Sequence, residues 1–189
     1  MQELKDRIKK DGIVIGDDIL KVDSFINHQI DTDLVFKIGE YLSTKFSGVN
    51  KILTIEASGI AFAIGTARYY DNCNIVFAKK SKSKTVDMNT VYQTTIKSFT
   101  RGTESLVTVA KKYLNENDNV LIVDDFLAEG NAALGLIDIC KQAGAKVVGV
   151  GIVIEKGFQG GRKKLEDLGI RVESCAIISE FKDGKVVLK

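Results

Sequence analysis

The sequence predicts an α/β fold: a mostly parallel central sheet with helices on both faces. Three observations carry this. Strand-like and helix-like segments alternate along the chain. Strands such as "KILTIEA" and "NVLIVD" are continuous apolar runs, the pattern of strands buried on both faces. The strand at 119–124 leads through a small-residue turn into a helix, as in a βα unit.

Taken in order, "MQELKDRIKK" is a charged amphipathic helix over 1–10. Asp31 is placed to cap a helix over 32–46, with Leu34, Val35, Ile38, Leu42 and Phe46 on one stripe. A strand over 51–57, a helix over 59–70 and a strand over 74–80 follow. Segments 91–100 and 104–114 alternate apolar and polar residues and predict a two-stranded ribbon. Then come a strand over 119–124, a helix over 130–142 and a strand over 146–155. "RKKLEDLG" and "RVESCAII" complete the pattern. No repeat or linker interrupts it, so one domain over 1–189 is expected.

Composition narrows the function classes. Lys and Arg number 27 against 25 Asp and Glu, leaving +2, so no broad basic surface for nucleic acid is expected. The N-terminal segment lacks the apolar core of a signal peptide, and no apolar run reaches membrane length. Three widely spaced cysteines without a CxxC pair suit free thiols in a reducing cytoplasm. A single histidine, His28, suggests no Cys/His zinc site.

The most informative stretch is "VLIVDDFLAEGNA", 120–132. Asp124 and Asp125 stand at the carboxyl end of a buried strand, where open α/β sheets bind ligands. Residues 128–132 turn into a helix whose first amides suit a phosphate, and Gly130 lets the backbone approach it closely. Two carboxylates beside a phosphate are unsuited to contacting it, but they suit the two hydroxyls of a ribose. A magnesium ion near them relieves their repulsion. The stretch therefore asks for a sugar phosphate. Other sources of the pattern fail. A response-regulator receiver carries its acidic pair near the start of a longer domain, and only 65 residues follow Asp124 here. A Walker B strand needs a GxxxxGK[ST] loop, which the chain lacks. "GVGIVIEKG" holds half of a dinucleotide fingerprint, and inside a strand.

The same stretch resembles the phosphoribosyl-pyrophosphate motif of type I phosphoribosyltransferases. With "ILKVDSFINHQID", "IEASGIAFA", "FAKKSKS", "SFTRGTES" and "GIVIEKGFQGGR", the resemblance covers nearly the whole chain and points to the bacterial xanthine-specific branch. It implies the type I fold, with a hood built largely from 1–30 and 156–189 and a mobile antiparallel loop around 79–103. It implies phosphoribosyl transfer to xanthine, magnesium carried with the diphosphate, a homodimer, a cytoplasmic setting, and neither a nucleic acid nor a membrane partner. The alternatives are another purine (guanine, hypoxanthine or adenine) or a non-catalytic sensor of the sugar diphosphate.

Position by position, the resemblance assigns the 5′-phosphate to Ala128, Glu129, Gly130, Asn131 and Ala132, and the ribose hydroxyls to Asp124 and Asp125. Ala57, Ser58 and Gly59 match the pyrophosphate loop, which in this family often contains a cis peptide, and Lys80 falls in the basic segment that approaches the diphosphate. Leu20 and Asn27 match the base-contacting hood. Lys156 matches the residue facing the purine 6-oxo group, and Phe158 is placed to stack on the purine. Relatives acting on hypoxanthine and guanine have an aspartate facing purine N7 where this chain has Ala128. Glu129 and Ala132 stand where many relatives have threonine, so phosphate binding leans on backbone amides, and Glu129 must point away.

Overall fold

Each strand at the middle of the chain carries apolar side chains on both of its faces, and the architecture follows from burying both. In a computed structural model, which describes residues 1–16, 19–81, 89–97 and 104–189, the elements run α1 (Gln2–Asp11), β1 (Ile13–Ile15), β2 (Ile19–Lys21), a π-type turn (Asp23–Asn27), α2 (Thr32–Ser43), β3 (Lys51–Ile55) and α3 (Gly59–Ala67). They continue through β4 (Asn74–Ser81), β5 (Val91–Lys97), β6 (Glu104–Ala110), β7 (Asn119–Leu127) and α4 (Asn131–Ala143). The last are β8 (Lys146–Lys156), α5 (Gly161–Glu166), β9 (Val172–Lys182) and β10 (Lys185–Leu188).

An eight-stranded sheet has the order β10-β9-β8-β7-β3-β4-β6-β5. Its centre, β9 through β4, is parallel, and both edges are antiparallel. The expected ribbon is β5 and β6, with Val91 opposite Ala110 and Lys97 opposite Glu104, and it joins the main sheet where β6 pairs with β4. Residues 82–88 and 98–103 of the loop expected over 79–103, with Lys82 and Lys84 of the lysine run, lie outside the described residues.

The period of two along β7 sorts the core. Leu121 and Val123 pack with α1, α2 and α3 on one face, and Val120 and Ile122 pack with α4 and the ribbon on the other. All four are fully buried, and each contributes roughly 1.5–3 kcal/mol by leaving water. Asp31 caps α2 as expected, accepting from the Leu34 amide at 3.1 Å. Helices α2 and α3 cross where a side chain at Gly39 would meet the Gly65 carbonyl carbon at 2.2 Å, so their backbones touch. The helices end earlier than the apolar stripes suggest, at Ser43 rather than 46 and Ala67 rather than 70.

Three elements were not expected. The short hairpin β1–β2 and the π-type turn lie between α1 and α2, and β10 closes one edge of the sheet by pairing antiparallel with β9. Helix α1 packs against β9 and β10, bringing the hairpin and turn over the carboxyl end of the sheet.

Candidate active site

Strand β7 runs three residues past Asp124, because Phe126 and Leu127 still pair with Ile154 and Glu155 of β8. The acidic pair therefore lies in the last turns of the strand rather than in a loop. Asp124 is 5% exposed, and its Oδ1 accepts the Asp125 amide at 3.0 Å. Burial first, then the charge of Asp125, holds the Asp124 carboxyl well above the usual carboxylate range, against a smaller opposing pull from Lys80.

Beyond Leu127 the chain turns through Ala128 and Glu129 to Gly130, which adopts φ +83° and caps α4. Its carbonyl accepts the Leu134 amide at 2.9 Å, and by helix geometry the amides at the start of α4 have no acceptor within the helix. The structure thus has the glycine-capped turn into a helix that the sequence suggested. Glu129 points away from it: its carboxylate and carbonyl hold Lys164 Nζ at 2.6 and 3.0 Å. The Asn131 side chain also leaves the turn, donating to the Lys97 carbonyl at 3.1 Å and tying the ribbon to α4.

Opposite the turn, Glu56, Ala57 and Ser58 link β3 to α3, which Gly59 opens, and the Glu56–Ala57 peptide is cis. A side chain at Gly59 would meet Thr54 Oγ1 at 2.1 Å and Asp124 Oδ1 at 3.2 Å, so this loop crosses directly over the acidic strand. The Glu56 carboxylate accepts the Lys80 amide at 2.6 Å, fixing the end of β4 beside the loop.

These pieces enclose one cavity of about 590 Å³. Asp124, Asp125, Ala128, Glu129, Gly130, Asn131, Ala132, Ser58, Gly59 and Lys80 line it, and so do Leu20, Asn27 and Lys156. Lys156 ends β8 at 8% exposure, and Asn27 ends the π-type turn that the hairpin carries over the sheet. Phe158 is the exception. It is 44% exposed, outside the lining, and packs edge-on against Phe181 with ring centroids 5.7 Å apart, because the chain turns away from the cavity after Lys156. Among the described residues, Phe126 is the aromatic side chain on the cavity wall. Glu56, Lys97 and Ser105 also line it and were not anticipated. Only Glu56 left a trace, a charge closing the apolar run "KILTIE".

Two of the three thiols, Cys140 and Cys175, are buried. Burial pushes Cys140 and Cys175 up to about 12, so neither provides a thiolate nucleophile at neutral pH. Among the described residues no group of three or more His, Cys, Asp or Glu is arranged to hold a metal, and no helix is long and apolar enough to cross a membrane.

The model of the phosphoribosyl transferase domain matches residues 28–182. The chain is 54% identical to the xanthine phosphoribosyltransferase of Clostridium novyi (strain NT) over 100% of both chains, and 53% identical to that of Clostridioides difficile (strain 630) over 98% of each. Among solved structures it resembles adenine phosphoribosyltransferase from Rhodothermus marinus, with TM-score 0.73 and 20% identity over 94% of this chain and 100% of that one. It resembles the Giardia lamblia APRTase complexed with 9-deazaadenine equally, with TM-score 0.73 and 22% identity over 92% and 96%. The likeness to these two structures is one of fold. The acidic strand end, the glycine-capped turn and the full-length relatives converge: this chain belongs to the phosphoribosyltransferase family.

Proposed function

We propose that this protein transfers the phosphoribosyl group of 5-phosphoribosyl 1-pyrophosphate to xanthine, giving xanthosine 5′-monophosphate and pyrophosphate in purine salvage. One observation carries the reading: a single cavity joins an acidic pair, a glycine-capped phosphate turn and a base end made by Leu20, Asn27 and Lys156. The full-length relatives, named xanthine phosphoribosyltransferases, supply the base.

In this reading the amides of 128–132 hold the 5′-phosphate, Asp124 and Asp125 hold the ribose hydroxyls, and Ser58, Gly59 and Lys80 face the diphosphate. As pyrophosphate leaves, positive charge builds on the ribose. Ribose hydroxyl donors and that charge draw the Asp124 carboxyl towards its ionised form, so its negative charge is most strongly stabilised when the sugar is cationic. Two clustered carboxylates suit a magnesium ion that enters with the diphosphate, where it would neutralise the leaving group. Ala128 offers no general base, and xanthine, more acidic than guanine, enters more readily as an anion. Phe126 supplies an aromatic wall in the place first assigned to Phe158. The chain, 1–189, works as one domain, with a hood from 1–30 and 156–189. Free thiols suit the cytoplasm, and exposed Ile64, Tyr69 and Phe77 supply apolar surface for a homodimer contact.

The test is pyrophosphate release with magnesium, the sugar diphosphate and a panel of xanthine, guanine, hypoxanthine and adenine. Xanthine should give the highest kcat/KM. Preference for adenine overturns the base assignment, and binding of the sugar diphosphate without turnover on any base makes the protein a sensor. Two variants locate the selectivity. Lys156→Ala should impair all three 6-oxo purines, because each presents the same acceptor. Asn27→Ala should lower xanthine turnover more than guanine turnover, narrowing the preference by about 1–3 kcal/mol, the cost of an unmade hydrogen bond to the 2-oxo group. An equal loss on every base would assign Asn27 to hood support instead.

A further inference from the structure

An ion pair between a buried glutamate and a partly exposed arginine, behind the phosphate turn, has no part in the transfer as described above. Glu155 is 2% exposed. Arg162 Nε donates to its Oε1 and Oε2 at 2.9 and 3.1 Å, Arg162 Nη2 donates to Oε2 at 2.6 Å, and Ser174 Oγ donates to Oε2 at 2.5 Å. The guanidinium also reaches the Val172 carbonyl at 2.9 Å and Glu166 at 3.1 Å, so one side chain binds α5 to both β8 and β9. Arg162 keeps 29% of its side chain exposed, so solvent screening limits what the pair contributes, and its geometry, more than its energy, asks for an explanation.

Its two ends lie one residue from the two ends of the cavity. Glu155 precedes Lys156, at the base end. Arg162 follows Gly161, whose amide donates to the Ala128 carbonyl at 3.0 Å. A side chain at Gly161 would fall 2.3 Å from that carbonyl oxygen and 2.9 Å from the Gly130 nitrogen, so α5 is seated directly against the phosphate turn. Lys164, farther along α5, grips Glu129 of the same turn.

We propose that the Glu155–Arg162 pair sets the spacing between the purine end and the 5′-phosphate end of the cavity, with Arg162 a positioning residue that acts through Gly161. The proposal rests on the phosphoribosyl-transfer reading. It predicts a defect that depends on ligand length. A ligand spanning both ends needs the correct spacing, whereas a fragment occupying one end does not.

The experiment measures binding of xanthine, ribose 5-phosphate and xanthosine 5′-monophosphate to wild type, Arg162→Lys and Glu155→Gln, with melting curves alongside. Lysine keeps the charge and loses the planar fork that engages both carboxylate oxygens. Glutamine at 155 keeps the shape and removes the charge that holds the fork. Both variants should bind the nucleotide at least about tenfold more weakly while each fragment changes less than about twofold, and kcat should fall more than either KM rises, as expected of misplaced reactants. If Arg162→Lys fails to fold, Glu155→Gln decides alone. Unchanged nucleotide affinity in a folded variant overturns the proposal, and so does a loss shared equally by nucleotide and fragments. A wild type that binds none of the three and releases no pyrophosphate overturns the transfer reading itself, and this proposal with it.

Discussion

Replacing Asp124 and Asp125 together by asparagine should lower turnover by about a thousandfold or more, the scale of losing charge aimed at a transition state, while the protein melts at a higher temperature. The two effects have one cause. In the folded chain, burial and Asp125 raise the Asp124 carboxyl well above its ordinary value. Ionisation there opposes folding, so the penalty is absent at pH below the ordinary carboxylate range and grows as pH rises through and above it. Asparagine keeps the shape, and its carbonyl still accepts the Asp125 amide. The gain in melting temperature should therefore appear at neutral pH and vanish below about pH 4. Pyrophosphate release and melting curves at both pH values check this. Activity within about tenfold of wild type, about 1.4 kcal/mol, would remove the ribose role, and a lower neutral melting temperature would refute the electrostatic account.

Gly130→Val should cost the sugar diphosphate at least about a hundredfold in affinity, about 2.7 kcal/mol. Gly130 holds φ +83°, where a β-branched residue is strained by roughly 1–3 kcal/mol, and its Cβ would lie 3.3 Å from Gly161 Cα. The turn must open either away from its backing or into the space the phosphate needs. Gly130→Ala should show a smaller loss in the same direction. Calorimetric titration distinguishes these outcomes, and an unchanged affinity for the valine variant would place the phosphate elsewhere.

The parts of this fold that could be read from residues are those where burial leaves a simple signature. β3, β7 and β8 are apolar on consecutive positions because helices cover both faces, and Asp31 announces α2 because a carboxylate there satisfies the Leu34 amide. The hairpin β1–β2 leaves no such mark. Its strands are three residues long, and Ile13, Ile15 and Ile19 stay exposed. β10 alternates weakly at a sheet edge and is fixed by pairing with β9 rather than by its own pattern. The acidic pair and its turn were legible because they are contiguous. Lys97, Ser105 and Glu56 reach the same cavity from segments far apart in the chain, and a linear reading has no term for that convergence. Phe158 lies off the cavity lining for a related reason: its ring has a nearer partner in Phe181, on a strand that spacing alone does not bring close.

The insertion of β7 between β3 and β8 bears on how the protein is made. Lys51 lies in register with Val120, so β3 waits for the whole ribbon to be synthesised before its second neighbour arrives. Until then a nascent chain carries β3 and β4 with one raw edge, a row of unsatisfied amides and carbonyls above apolar side chains, which is a template for pairing with another nascent chain. The strand bearing Asp124 and Asp125 is also the one that covers this edge. Substitutions that slow the docking of β7 should therefore show first as insoluble yield in the cell, and a melting curve of the surviving soluble fraction would miss them.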